Sequence, residues 1–499
     1  METFASLMYG FKITLMPINL FYCFVGVFIG TLIGVLPGIG PSATIALLLP
    51  ATFKINPVSA LIMLSGICYG AMYGGSTTSI LLNIPGEPSS VVTCLDGYQM
   101  ARKGRAGPAL GISAMGSFIA GTLSLFGLLF MAPTVADLAI RLGPAENFSL
   151  MVMGIAIVTF LARGSMVKAL LMAAFGLFLG SIGTDPITAK VRFTYHLRDL
   201  NDGIALAPVV MGLFGVSEVL TNVGVAIRRE IFEGKIKGLY PNKQDWKDSA
   251  KPIARGTLIG FFLGALPGVG SIIPQFIAYV VEKKLSKHPE KFGTGVIEGV
   301  ASPEACNNSA VTSQFIPLLS LGIPSTGYGA LLMGALMIYG IQPGPLLIKN
   351  NPDLFWGVMA SMYVGNILLL VLNLPLIPLW VRILKIPYSF LYSLILILCV
   401  IGSYSYNNNV VDVLVMAVCS VLGYLFKKYQ YEGAPLVLAL VLGPLLETAL
   451  RRSLLISQGS FMIFVTHPVS AVFLSITVVI LVFPVVTRKR IGKGLESEE

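Results

Sequence analysis

Long stretches without any Asp, Glu, Lys or Arg dominate this chain, and each is long enough to cross a lipid bilayer as a helix. These stretches include residues 13–53, 55–86, 106–136, 256–281, 305–348, 354–381 and 386–411. About 20 apolar residues span the hydrocarbon core of a bilayer. Apolar residues make up 55% of the chain and charged residues 12%, whereas about 25% of the residues in soluble domains are charged. The sequence therefore predicts a multi-pass integral membrane protein.

The apolar segments predict helices rather than strands. Their periodicity is helical or absent, and the alternating pattern of an outer-membrane barrel is missing. We expect an all-α polytopic fold with about 10–13 membrane segments. Segments 14–50 and 309–348 exceed one span and contain Gly and Pro near their centres, so we expect broken helices or re-entrant hairpins among them.

Similar motifs recur in the same order in both halves of the chain. "GTLIGVLPGIG" at 30–40 matches "GFFLGALPGVG" at 260–270 at six of eleven positions. Further pairs follow at nearly the same offset: "GGSTTS" at 74–79 with "NNSAVTS" at 307–313, "LNIPG" at 82–86 with "LGIPS" at 321–325, and "GPAL" at 107–110 with "GPLL" at 344–347. Such internal similarity predicts two related repeat halves and is typical of secondary transporters.

The charges flanking the two PGxG segments differ. Lys251, Arg255, Lys283 and Lys284 surround the second segment, whereas Lys12 and Lys54 alone flank the first. Because Lys and Arg accumulate on the cytoplasmic side, hairpins at these segments would enter the membrane from opposite sides. The repeats are therefore predicted to be inverted.

Charge also indicates the domain boundaries. We expect membrane repeat 1 at 1–227, a basic cytoplasmic linker at 228–253, membrane repeat 2 with C-terminal helices at 254–487, and a cytoplasmic tail at 488–499. The net charge of +10 is explained by these loops and does not indicate a nucleic-acid partner. The first residues lack a basic n-region and a cleavage site, so we expect a retained first membrane segment.

The PGxG segments are the first candidate site. A chain break inside the membrane frees backbone N–H and C=O groups, which is tolerable only against protein or a polar cavity. The N-terminus of the following half-helix attracts anions such as carboxylates. Gly38, Gly40, Gly268 and Gly270 would allow close backbone approach to a ligand. A simple packing kink is the alternative, but two breaks in register favour function.

Hydroxyl and amide side chains cluster at matching places in the two halves. The predicted substrate-binding residues are Ser42, Ser76, Thr77, Thr78, Asn307, Asn308, Ser309 and Thr312, together with the four glycines. The candidates for the coupling ion are Thr44, Asn83, Glu304 and Ser271. Four adjacent hydroxyls at 76–79 cannot share one helix face, so we expect some to line a cavity or unwound backbone. The alternative role is adhesion between helices.

Few acidic residues lie near these elements. Glu87 and Glu304 are candidates for proton coupling or cation binding, because a buried acid is costly in a membrane. Asp96, close to Arg102, Lys103 and Arg105, is expected to be an interfacial loop carboxylate. Separately, Glu447 and Arg451 have the i, i+4 spacing of a helical ion pair.

Signatures of enzymes and metal sites are missing. The six cysteines form no CxxC pair, and the three histidines are far apart in sequence. We find no GxSxG, HExxH or GxxxxGK[ST] motif. We therefore expect no cofactor, no metal and no enzymatic activity. A carboxylate or ion channel is the main alternative to a transporter, and a membrane-embedded enzyme is a weaker one.

Five long segments carry a family resemblance. They are "GVLPGIGPSATIALLLP", "YGGSTTSILLNIPGEPSSVVTCLDGYQMARKGRAGPALG", "GALPGVGSIIPQFIAY", "GVASPEACNNSAVTSQFIPLLSLGIPS" and "APLVLALVLGPLLETALRRSLLISQGSFMIF". Together they resemble the large membrane subunit of tripartite tricarboxylate transporters, the TctA family, over nearly the whole chain.

The resemblance implies a multi-pass protein of the bacterial inner membrane. It implies two protein partners, a small four-helix membrane subunit and a periplasmic solute-binding protein. It also implies that citrate or related tri- or dicarboxylates are taken up by symport with a cation. The gradient of this cation, either Na⁺ or H⁺, drives the uptake.

Overall fold

The computed structural model describes residues 2–36, 40–161, 165–185, 187–222, 238–266, 269–383 and 388–495. Within these ranges the chain is mainly helical, and its only strands form one short antiparallel hairpin, β1 (Gly183–Thr184) with β2 (Val191–Arg192). The chain divides into two compact units: unit 1 contains residues 1–137 and 207–424, and unit 2 contains residues 138–206 and 425–499.

The first ten helices precede the basic linker. They are α1 (Glu2–Thr14), α2 (Pro17–Val35), α3 (Pro41–Thr52), α4 (Pro57–Leu82), α5 (Val91–Met100), α6 (Ala106–Ile140), α7 (Pro144–Leu161), α8 (Met166–Gly180), α9 (Leu206–Val210) and α10 (Ser217–Asn222). A 3₁₀ turn at Pro88–Ser90 leads into α5, and another at Arg198–Leu200 follows the hairpin. π-helical turns at Ala101–Arg105 and Met211–Val216 precede α6 and α10.

The remaining helices follow the linker. They are α11 (Lys243–Gly264), α12 (Ile272–Leu285), α13 (Glu298–Ser313), α14 (Phe315–Leu321), α15 (Gly327–Ile338), α16 (Leu347–Asn350), α17 (Pro352–Asn373), α18 (Ile377–Ile383), α19 (Tyr388–Asn407), α20 (Val410–Lys428), α21 (Gly433–Ile456), α22 (Ile463–Thr466) and α23 (Pro468–Leu495). A 3₁₀ turn at Pro289–Lys291 lies between α12 and α13.

The predicted all-α polytopic fold is confirmed. Six helical stretches among the described residues are long and apolar enough to cross a membrane, and seven shorter apolar helices accompany them. The two expected interruptions are present, since α2 ends at Val35 before α3 begins at Pro41, and α11 ends at Gly264 before α12 begins at Ile272. The central Pro-Gly pairs, 37–38 and 267–268, lie outside the described residues.

Helices α2 and α4 touch through their backbones. A Cβ atom added at Gly26, Gly30 or Gly34 would lie 2.3, 2.7 or 2.1 Å from the carbonyl oxygens of Met63, Ile67 and Ala71, respectively. Small residues at every fourth position let membrane helices approach this closely, so that dispersion contacts hold them together without an apolar driving force.

Helices α11 and α13 repeat this contact. A Cβ atom at Gly256, Gly260 or Gly264 would lie 2.2, 2.3 or 2.6 Å from the carbonyl oxygens of Ser302, Cys306 and Ala310, respectively. Each of these glycines lies 230 positions after its counterpart on α2. Two related halves would share such a contact, but both the repeat halves and their inverted orientation stay predictions.

Helices α4 and α13 are the most enclosed elements of unit 1. Helix α4 is buried from Ser59 to Leu82 and α13 from Gly299 to Ser313. Helix α4 is surrounded by α2, α3, α5, α15 and α17, and α13 by α5, α11 and α12, while α4 and α13 also contact each other. The polar residues of both helices therefore lie inside the protein rather than against lipid.

Unit 2 is built on α7, α8, α21, α22 and α23. The loop after α8 is fixed to α21 by four charged side chains. Arg192 donates to both carboxylate oxygens of Glu447 at 2.8 and 3.1 Å. Arg451 Nη1 donates to Asp185 at 2.8 Å, and Arg451 Nη2 pairs with Glu447 at 2.6 Å. The Glu447–Arg451 pair expected from the sequence is thus present, within a larger network.

Replacing Gly260 by Ala tests the close helix contact. The new methyl group would collide with the backbone of α13, and such overpacking typically costs about 1–3 kcal/mol. We expect a lower melting temperature in detergent. Gly443→Ala is the control, because its Cβ would meet Leu177 at an ordinary 3.5 Å. Equal stability of the two variants would contradict the role of the glycines.

Replacing Asp185 by Asn tests the ionic network. The N–H groups of Thr188 and Ile187, with Arg451, hold the pKa of the Asp185 carboxyl below its ordinary value. Because this pKa is lower in the folded chain, ionised Asp185 stabilises the fold above the unfolded-chain value of about 4, and this contribution disappears as the pH falls toward the folded value.

We therefore expect Asp185→Asn to have a lower melting temperature than the wild type at pH 7. The difference between the two melting temperatures should become smaller as the pH falls. Exposed Asp202 in the same loop provides the control variant Asp202→Asn. A deficit for Asp185→Asn that does not change with pH would show that the carboxylate charge is not what stabilises the loop.

Candidate functional site

Glu304 lies at the centre of a shell of hydroxyl groups. Its side chain, on α13, is 1% exposed. Ser76 Oγ on α4 and Ser113 Oγ on α6 donate to Glu304 Oε2 at 2.6 and 2.9 Å. The Thr93 hydroxyl on α5 donates to Oε1. Four helices therefore converge on one buried carboxyl group.

Glu87 is a second buried carboxyl group, 4% exposed. It follows α4 in the "NIPGEPSS" turn and caps the 3₁₀ helix Pro88–Ser90, with the Ser89 N–H donating to Glu87 Oε2 at 2.9 Å. The turn packs tightly, because a Cβ atom at Gly75 would lie 2.8 Å from Glu87 Cγ and one at Gly86 would lie 2.0 Å from the Gly34 carbonyl oxygen. Only glycine fits at both positions.

Asn307 joins the two carboxyl groups into one polar cluster. Its Oδ1 lies 3.0 Å from Ser89 Oγ, which also contacts Glu87. Its Nδ2 makes no hydrogen bond of ordinary geometry within the protein, although the side chain is 0% exposed and its amide faces the Glu87 carboxyl. We define the polar cluster as Ser76, Glu87, Ser89, Thr93, Ser113, Ser117, Glu304, Asn307 and Asn308. Asn308 belongs to it because its Nδ2 donates to Ser117 Oγ at 2.6 Å.

Three further buried amides have unpaired atoms, those of Gln275, Gln314 and Asn373. Gln275 lies on α12, which packs against α13 and the turn at Pro88–Ser90, and neither of its amide atoms has a partner. Gln314 Oε1 accepts from the Tyr328 hydroxyl at 2.9 Å, while its Nε2 is unpaired. Buried polar atoms in proteins are nearly always paired, and each exception requires an explanation. A polar ligand is one such explanation.

Other predicted residues make hydrogen bonds between packed helices or within their own helix. Thr78 Oγ1 donates to the Val35 carbonyl oxygen at 2.7 Å, at the end of α2. Ser309 Oγ donates to the Thr257 carbonyl oxygen and lies beside Ser124 Oγ, both at 2.6 Å. Thr312 Oγ1 bonds the carbonyl oxygen of Asn308 in its own helix. The hydroxyl groups of Thr78 and Ser309 hold helices together, which is the alternative role considered for them, whereas that of Thr312 bonds within α13.

The adjacent hydroxyls at 76–79 lie on regular helix. We expected a cavity or unwound backbone here, but α4 is continuous to Leu82. Ser76 faces Glu304, Thr78 faces α2, and Ser79 bonds the Gly75 carbonyl oxygen. Thr77 is also buried. Because α4 is enclosed by other helices, the hydroxyls of Ser76 and Thr78 reach different neighbours without any break in the helix.

The predicted residues of the first interrupted segment lie at the ends of helices. Gly40 is the N-cap of α3, Ser42 is half-buried, and Thr44 Oγ1 bonds the Gly40 carbonyl oxygen at 3.2 Å. Asn83 ends α4 in the left-handed conformation, with φ 56°, and is exposed. Gly38 lies outside the described residues.

The second segment is arranged similarly. Gly270 has φ +66°, and a Cβ atom there would lie 3.6 Å from Thr326 Cγ2 in the turn after α14. Ser271 is the buried N-cap residue of α12. Gly268 lies outside the described residues.

The expected surface position of Asp96 is wrong. Asp96 is fully buried and accepts hydrogen bonds from the Tyr279 hydroxyl at 2.8 Å and from the N–H groups of Gly295 and Val296 at 2.7 and 3.0 Å. It thereby attaches α5 to the loop before α13. Its neighbour in sequence, Arg105, pairs with Asp245 instead.

Sequence reasoning missed several members of the polar cluster. They are the hydroxyl residues Ser89, Thr93, Ser113 and Ser117, which lie within apolar or mixed segments. One signal was present, since Ser113 and Ser117 have the i, i+4 spacing that places both on one face of α6. The others are recognisable only from their partners on distant helices.

Comparison with known proteins identifies the family. The family model of the tripartite tricarboxylate transporter TctA family matches residues 20–438. An uncharacterized 52.8 kDa protein in the TAR-I ttuC' 3' region of Agrobacterium vitis is 50% identical over 98% of both chains. An uncharacterized protein in the TAR-II ttuC' 3' region of the same organism is 50% identical over 46% of this chain and 97% of its own. No solved structure matches. The chain therefore belongs to the tripartite tricarboxylate transporter TctA family.

Proposed function

We propose that this chain is the large membrane subunit of a secondary transporter that imports small tri- or dicarboxylates, driven by a Na⁺ or H⁺ gradient. Family membership supports the transporter class. The observation that carries the proposal is the polar cluster, which places two carboxyl groups and an unpaired amide inside an otherwise apolar membrane unit. Polar groups inside membrane proteins are costly and typically mark the path of a substrate or ion.

The unpaired groups suit a carboxylate ligand. Three buried N–H donors make no hydrogen bond of ordinary geometry within the protein: Asn307 Nδ2, Gln275 Nε2 and Gln314 Nε2. A carboxylate has two oxygens that accept such bonds, and bonds to a charged acceptor are the stronger kind. The N-termini of α3 and α12, which follow the interrupted segments, would add favourable dipoles.

Enclosure favours a transporter over a channel. The members of the cluster are buried, so a ligand reaches them only if the helices move. Alternating access provides such movement, whereas a channel requires a continuous polar path. We propose that the subunit acts in the bacterial inner membrane with a small four-helix membrane subunit and a periplasmic solute-binding protein, the partners implied by a tripartite system.

Uptake measurements on the complete system test this function. Cells that express the chain with its cognate partner subunits should accumulate radiolabelled citrate or another small carboxylate above the external concentration. Collapse of the ion gradients should abolish accumulation. Equilibration without accumulation would indicate a channel, and recovery of a chemically altered substrate would indicate an enzyme.

Replacing Asn307 by Val tests the binding site. The variant removes a donor and leaves the ligand oxygen unpaired, which costs about 1–3 kcal/mol, so we expect the apparent KM to rise about 10-fold. Asn373→Val is the matched control, because Asn373 is also buried and its Nδ2 bonds the Leu369 carbonyl oxygen of its own helix. Its unpaired atom is Oδ1, which cannot donate to a carboxylate. If Asn307→Val inserts normally into the membrane and its KM is unchanged, Asn307 does not bind the substrate.

A further inference from the structure

We propose that the coupling ion is a proton, that Glu304 carries it, and that the transported anion binds one helical turn away at Asn307. This inference rests on the proposed transport function and assigns its coupling chemistry. Glu304 and Asn307 are three residues apart on α13, which places them on the same face of the helix. The unpaired Nδ2 of Asn307 is the second observation that indicates a ligand here.

The hydroxyl groups around Glu304 can form hydrogen bonds with either the ionised or the protonated carboxyl group. Its side-chain partners are the hydroxyls of Ser76, Thr93 and Ser113. A hydroxyl is both a donor and an acceptor, and its hydrogen rotates to suit its neighbour. The three hydroxyls donate to an ionised carboxylate, and one of them turns to accept when the carboxyl is protonated. The proton therefore binds and leaves without rearrangement of heavy atoms.

Glu304 has no compensating positive charge in the part of the chain that the structure describes. The buried or half-buried titratable or charged side chains on the elements packed around it are Cys68, Tyr69, Tyr73, Glu87, Cys94, Asp96, Tyr98, Asp245, Asp248, Arg255, Tyr279, Glu282, Glu298 and Cys306. Of these only Arg255 is basic, and it is paired with Glu282 at 2.9 Å. The lysines of α11 and α12 (Lys243, Lys247, Lys251, Lys283 and Lys284) are exposed. A buried charge without an opposite charge beside it is costly. Binding of a proton removes this cost, because it makes the Glu304 carboxyl group neutral.

A sodium ion fits the shell less well than a proton does. A hard cation requires several oxygen ligands directed at itself. The hydroxyl oxygens of Ser76 and Ser113 instead lie at hydrogen-bond distances of 2.6 and 2.9 Å from Glu304 Oε2. The oxygens are thus directed at the carboxyl group, which requires only a proton to become neutral.

The geometry links proton binding to anion binding. Ionised Glu87 and Glu304 would place two negative charges beside the Asn307 amide and repel a carboxylate. Protonation of Glu304 removes one of these charges and favours binding of the anion. By reciprocity the bound anion favours the protonated form by the same factor. The proton enters from the outer aqueous phase and leaves to the inner one with the substrate, and no other bond changes.

The variant Glu304→Gln separates coupling from binding. Glutamine approximates the protonated carboxyl and cannot release a proton. In membrane vesicles containing the complete transport system, we expect uphill uptake to fall at least about 10-fold. Exchange of external labelled substrate for internal unlabelled substrate should persist and lose its dependence on pH. Glu298→Gln on the same helix is the matched control and should retain uphill uptake.

Wild-type vesicles provide an independent measurement. Substrate addition should make a weakly buffered, sodium-free medium more alkaline as protons enter with the anion. Uptake that requires Na⁺ and moves no protons would overturn the inference while leaving the transport function intact. Uphill uptake by Glu304→Gln would also overturn it. Absence of carboxylate transport in the wild type would instead contradict the proposed function.

Glu304→Asp is the second variant if Glu304→Gln does not reach the membrane. Aspartate keeps a titratable group but withdraws it from the three hydroxyls. We expect uphill uptake to persist at a lower rate, with a shifted pH dependence. A pH profile identical to that of the wild type would show that Glu304 is not the proton carrier.

Discussion

Close backbone contact between glycine-bearing helices is the interaction on which the rest of unit 1 depends. Gly26, Gly30 and Gly34 bring α2 against α4, and Gly256, Gly260 and Gly264 bring α11 against α13. Lipid chains are as apolar as side chains, so association in a membrane relies on such packing and on hydrogen bonds. These contacts enclose α4 and α13, the two helices that carry most of the polar candidates, and keep their hydroxyls, amides and carboxyls away from lipid.

Once enclosed, the polar groups satisfy one another across helices. Hydroxyls from three helices reach Glu304, and Ser89 connects Glu87 with Asn307. Most of the polar cluster is paired, which is required where water is scarce. The unpaired Nδ2 of Asn307 therefore stands out within the cluster. Its position beside two carboxyl groups connects the packing of the helices to anion transport and its coupling to an ion.

Sequence reasoning reached the principal residues of the cluster for a definite reason. Glu304 and Asn307 are polar residues in or next to long uncharged stretches, and a membrane tolerates them only for a purpose. The same reasoning placed Asp96 at the surface because of its basic neighbours, yet its partners, Tyr279 and the loop at 293–296, are almost 200 residues away. Local charge gives no information about such distant partners.

The sequence by itself determined the membrane class, the helical fold, the two helix interruptions and the family, because these follow from hydropathy, from Pro and Gly, and from long ordered motifs. Only the tertiary structure decided which hydroxyls pair with Glu304 and which join helices, as Thr78 and Ser309 do. The physical reason is that a residue's position along a helix fixes its face, whereas helix packing decides what that face meets.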